Sequence, residues 1–162
     1  MCLAITTGGI DLTGGAQLAM CSVILGQLIT NNNFPIPLGV LIGILAATCF
    51  GFLNGFLIAR FKMFAFVVTL SMQLVIRGAA QVVSGGRAIT FNSAFTQIYY
   101  GRLFGVIPIP IVIFFVVFIV MYLMFHWTRL GRYILAVGGN EKAAIASGVN
   151  SVRVKTLCYT IS

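Results

Sequence analysis

Polar and apolar positions along this chain do not alternate; they come in long blocks. Continuous apolar runs cover about residues 13–30, 36–59, 64–83 and 106–127, and a fifth runs from 152 to 162. Unbroken runs of this kind predict helices that cross a bilayer, for which about 20 residues are needed, rather than half-buried strands. Short polar breaks separate them. Thr6 to Gly15 is glycine-rich and carries Asp11, so with the apolar residues 1–5 ahead of it the first run reads as a discontinuous membrane helix. Such breaks are tolerated at membrane depth where they line a cavity or are buried in protein. Asn31 to Asn33 makes an uncharged turn, and Arg60 with Lys62 a tight basic one. Ser84 to Gly105 is a longer polar stretch, with a short amphipathic helix expected around Ser93–Tyr100. Pro108 and Pro110 fit the entrance of the fourth span, where a missing N–H costs least. The predicted fold is all-α and polytopic, with a broken first helix and a polar loop over 128–151.

Composition excludes an ordinary soluble domain: 60% of residues are apolar and 7% charged, against about 25% charged in soluble domains. The net charge of +8 changes the picture by fixing sidedness. Arg60, Lys62, Arg129, Arg132, Lys142, Arg153 and Lys155 fall on one side of the topology, Arg87 and Arg102 on the other. The positive-inside bias makes the first side cytoplasmic and explains the charge without nucleic acid, for which a compact basic face with interleaved aromatics is missing. Cys2, Cys21, Cys49 and Cys158 are scattered through apolar segments with no metal-ligand spacing, so no metal site is expected. Met1 to Ile5 lacks the basic start of a secretory signal.

Candidate chemistry inside the spans is sparse. Asp11 and Thr13, in the break with Gly9, fit two readings: a cap on the following helix, or contact with a passing solute. Gly51 and Gly55 form a G-x-x-x-G that favours close helix packing, with Asn54 beside them as a source of an interhelical hydrogen bond. Arg77 falls within the third span, either snorkelling near its outer end or pointing at protein. His126 sits at the inner boundary and reads as interfacial.

The polar stretch after residue 128 carries the clearest signal. Gly138-Gly139-Asn140 breaks the chain, and Glu141 to Ser147 then reads as a short helix. Asn140 suits its cap, Glu141 its first turn, and Gly148 its left-handed C-terminal end. So short a helix has to pack on something. The pattern Thr128-Arg-x-Gly-Arg-x-x-x-Ala-x-Gly-Gly-Asn-Glu-x-Ala-Ala-x-x-Ser-Gly-Val resembles the cytoplasmic signature of ribose/galactose-type ABC transporter permeases. Thr7-Gly-Gly-Ile-Asp-Leu-Thr13 matches in the expected order, as do Asn54-Gly, Thr69-Leu, Arg77-Gly and Gly85-Gly86-Arg87. The resemblance implies the first half of a permease of about ten helices in the bacterial inner membrane. It also implies a second permease copy, a separate ATP-binding subunit, and a periplasmic or lipid-anchored sugar-binding protein. The short helix would be the coupling helix. Gly138, Gly139, Asn140, Glu141, Ala143, Ala144, Ser147 and Gly148 would form its docking set, flanked by Arg129 and Arg132.

With no Walker A stretch, no Gly-x-Ser-x-Gly, no His-Glu-x-x-His, one histidine and two acids, no catalytic residue and no bound cofactor is expected. The chain starts just before a broken helix and ends about ten residues into another, so it reads as part of a longer permease. On residues alone, two other classes stay open: a secondary transporter or channel using Asp11 and Arg77, and a non-transporting membrane scaffold.

Overall fold

The computed structural model describes residues 1–31, 34–87, 89, 100–103 and 107–162. Helix α1 (Cys2–Thr6) ends at Thr7, and irregular backbone leads to α2 (Gly14–Gly26), which continues through a wider π turn over Gln27–Asn31. The apolar helical stretch Gly14–Ile29 covers about 24 Å at 1.5 Å per residue, short of a hydrocarbon core of about 30 Å. It is the second piece of a broken helix. Helices α3 (Ile36–Phe61), α4 (Ala65–Ser84) and α5 (Ile109–Trp127) are each long and apolar enough to cross a membrane. Pro35 and Pro108 hold extended backbone at the entrances of α3 and α5, with a further proline in the first turn of each. That is why α5 begins at Ile109 and not at 106. The residues before it form a small antiparallel hairpin, β1 (Arg102–Leu103) with β2 (Ile107–Pro108). The amphipathic helix expected around 93–100 falls on residues outside those described, apart from Tyr100, as does the 32–33 part of the uncharged turn.

Beyond α5 the chain is helical where a loop was expected. Helix α6 (Arg129–Gly139) buries Gly131, Ile134 and Val137, a one-face spacing, while Arg129 and Arg132 point outward. Its short length and flanking glycines hide that period in the sequence. A single residue, Asn140, separates α6 from α7 (Glu141–Ala146), and α8 (Ser151–Ile161) follows.

Helix α3 is the hub. Gly39 and Gly43 on its first half lie against Leu25, Cys21 and Ile29, while Gly51 and Gly55 on its second half lie against the backbone of α8. A Cβ on Gly55 would sit 2.7 Å from the Thr156 carbonyl oxygen, so the G-x-x-x-G lets two backbones meet, as its small residues predict. Two apolar clusters hold the other elements. Leu3, Ile134, Val137, Ala144, Val154 and Cys158 form one; Ala4, Ile58, Val68 and Tyr159 form the other. Neighbouring residues of α1 enter different clusters, which wedges α1 between them. Helix α5 buries no residue.

Candidate functional site

The break between α1 and α2 closes into a buried polar knot. Asp11 is 4% exposed, and its Oδ1 accepts from the Thr13 backbone N–H at 3.0 Å and from the Thr13 hydroxyl at 2.6 Å. Thr13 occupies the N-cap position of α2, yet its hydroxyl makes no capping bond to the helix. Capping by these side chains is therefore replaced by an Asx-type turn, which holds the irregular backbone locally. Across from it on α3, Asn54 donates from Nδ2 to the Thr13 hydroxyl at 3.3 Å. On α4, Thr69 donates to the Ile10 carbonyl oxygen at 3.1 Å. The break is thus pinned by two spanning helices, which satisfies backbone that lipid could not. Gly9 lies under the Tyr159 hydroxyl, where any Cβ would collide with it.

The second constellation is α7 and its supports. The Asn140 side chain caps it by accepting from the Ala143 N–H at 3.1 Å. At the other end Gly148 has φ +85°, with Gly148 N–H bonded to the Ile145 carbonyl and Val149 N–H to the Ala144 carbonyl, a Schellman closure. Glu141 receives a 2.7 Å hydrogen bond from Lys155 Nζ on α8. That bond, opposed next by burial and then reinforced by the charge of Lys155, a Ser151 hydrogen bond and the charge of Lys62, holds the Glu141 carboxyl below the usual glutamate range. Ala144, 5% exposed, plugs the helix into the first apolar cluster. Lys142, Ala143, Ile145, Ala146 and Ser147 face outward.

The structure gathers Gly9, Asp11, Thr13 and Asn54 at one place. Arg77 does not join them: it is exposed on α4, eight residues or about 12 Å of helix beyond Thr69. Within the expected docking set the residues divide. Ala143 and Ser147 are outward, Ala144 is inward, and Glu141 is engaged with Lys155. Gly138 and Gly139 belong to the last turn of α6, Gly138 against the Thr6 carbonyl and Gly139 open, so the chain breaks at Asn140. Sequence reading missed Thr69, Tyr159 and Lys155 as partners. A lone threonine in an apolar run is a signal that could have found the first; the other two require knowing that α8 folds back on α3.

Residues 1–162 match the family described as "Branched-chain amino acid transport system / permease component". Over 165 residues the chain is 36% identical to the ribose import permease protein of Bacillus subtilis (strain 168), covering 100% of this chain and 51% of that protein. It is 35% identical over 162 residues to the galactofuranose transporter permease protein of Escherichia coli (strain K12), covering 100% of this chain and 47% of that one. With the fructose import permease protein of Rhizobium meliloti it shares 32% over 169 residues, 99% of this chain and 47% of that one. The chain spans about half the length of the curated relatives it matches. No solved structure matches it.

Proposed function

The chain belongs to the branched-chain amino acid transport system / permease component family, and from that premise we propose that it forms part of the permease subunit of an ATP-driven monosaccharide importer. Such permeases are integral proteins of the bacterial inner membrane, and the three helices among the described residues that are long and apolar enough to cross a membrane fit that setting. The relatives' names favour sugars as cargo: ribose, galactofuranose and fructose differ as molecules but share the monosaccharide class. ATP hydrolysis then belongs to a separate subunit, with a second permease copy completing the pathway and a sugar-binding protein delivering cargo from outside.

The observation that carries this reading is α7, a helix fixed at both ends and seated from beneath with its outer face free. Closed at its ends by Asn140 and Gly148 and seated on its neighbours by Ala144 and the Glu141–Lys155 pair, it is suited to move as a unit with α6 and α8. That is what transmission of a rigid-body displacement requires. The docking face is Ala143, Ala146 and Ser147, flanked by Arg129 and Arg132. Ala144 and Glu141 seat the helix, and Gly148 closes it.

The test is Ala143→Asp, a change on the exposed face, in the full permease co-expressed with its ATPase and binding protein. Membrane insertion should stay at the wild-type level while the ATPase no longer co-purifies and sugar uptake falls at least about tenfold, the size of one lost central contact. Uptake and co-purification both at wild-type levels would remove the docking role.

A further inference from the structure

A cleft of about 480 Å³ opens between the α3–α4 turn and the α7–α8 pair, with the break after α1 at its base. Lys62, Lys142 and Lys155 all line it, and its single acid is Glu141. Among the described residues the only ion pair is Glu141 with Lys155, so Lys62 and Lys142 line the cleft with no direct ion-pair partner. Tyr159, 2% exposed, also lines it, and its hydroxyl has no hydrogen-bond partner among the described residues. The rim is of the opposite character: Met63, Phe64 and Ile145 are 47%, 85% and 53% exposed. Two cations without an ion-pair partner inside an apolar rim match an anion that carries its own hydrocarbon.

The backbone at Lys62 adds to this. It is the only described non-glycine residue with positive φ, +53°, a left-handed conformation that costs an L-residue about 1 kcal/mol and that glycine adopts freely. A lysine here therefore costs stability that its side chain must justify. The cation also suits the C-terminal end of α3, and Lys62 lines the cleft across from Glu141, whose carboxyl it helps to lower.

We propose that this cleft binds the phosphate of an anionic phospholipid headgroup at the level of the inner leaflet. Lys62 and Lys142 meet the phosphate, and Met63, Phe64 and Ile145 meet the glycerol and upper acyl chains. Basic pockets between membrane helices on the cytoplasmic side recognise headgroups in this way. A bound lipid would brace α7 against α3 beside the Glu141–Lys155 pair. The proposal does not depend on the ATPase reading, because lipid retention is measured without any partner.

The experiment is native mass spectrometry of the full chain in detergent, titrated with dioleoyl phosphatidylglycerol, dioleoyl phosphatidylcholine or inorganic phosphate. A lysine near a bilayer surface contributes about a fivefold gain in binding, so the wild type should prefer phosphatidylglycerol by about 25-fold. Lys62→Asn with Lys142→Gln should abolish that preference, since asparagine accepts the left-handed backbone and Lys142 is exposed on its helix. Arg87→Gln with Arg102→Gln removes the same charge elsewhere and should leave the preference intact. Equal retention of the two lipids, or a preference surviving Lys62→Asn with Lys142→Gln, overturns the proposal. Inorganic phosphate that binds alone and displaces phosphatidylglycerol at equal concentration also overturns it, by assigning the cleft to a free phosphate.

Discussion

Glu141 shows how a residue that looks like part of a contact surface is committed to the chain's own architecture. Its carboxyl is held below the usual range, first by the hydrogen bond from Lys155. A group whose folded pKa is lowered adds stability that is present at neutral pH and is lost as pH falls through the lowered value. The seat of α7 should therefore hold at neutral pH and loosen only in acid, below the ordinary glutamate range near about 4.3. For a pair this exposed the contribution is about 0.5 kcal/mol. A carboxyl-carbon NMR titration checks it: Lys155→Gln should move the Glu141 midpoint upward, and an unmoved midpoint would mean that Lys155 is not its main partner. Sequence reading placed Glu141 in the first turn of a helix, which the structure retains, because helix polarity is a local property. It could not see Lys155, fourteen residues on, because that pairing depends on how α8 folds back. The burial of Ala144 was hidden for the same reason: three small residues look alike in sequence, and only the rotation of α7 decides which one is buried.

At the scale of elements, the seam between α3 and α8 is a close approach of two helix backbones. Gly51 and Gly55 present no side chain, and a Cβ on Gly55 would lie 2.8 Å from the Thr156 Cα, an atom of backbone that cannot swing aside. Gly55→Leu should push the helices apart and destabilise the chain by about 1–3 kcal/mol, the usual range for overpacking. Gly78→Leu, on α4 with open space where the side chain would go, should be close to neutral. Thermal unfolding of both in the same detergent checks the contrast, and equal midpoints would exclude a tight seam. The motif was legible because its two glycines lie one helical turn apart. Its partner was not, since small residues announce a close approach without saying to what. Helix α6 was missed from the other direction: a period of one buried residue in three, spread over 11 residues, is too brief to stand out among glycines and arginines.

At the scale of the whole molecule, the basic residues and the helix lengths make one argument. Helices α4 and α5, 20 and 19 residues long, each rise about 30 Å, so each carries the chain from one face of a bilayer to the other. The Arg102 hairpin then lies opposite the α3–α4 turn and opposite α7. Those last two share a face because Lys62 and Lys142 line the same cleft. The charge count that assigned sides in the sequence is thus tied to a physical juxtaposition, and the remaining question is which face is cytoplasmic. Positive-inside bias answers that the lysine cleft is. With the four native cysteines replaced by alanine, Lys142→Cys should react with a membrane-impermeant maleimide only in inverted vesicles, and Arg102→Cys only in right-side-out ones. The reverse pattern would put α7 on the outer face, beyond reach of any cytoplasmic ATPase. It would remove the transport reading and the inner-leaflet lipid site together while leaving every packing argument above intact, because packing fixes shape and only charge fixes direction.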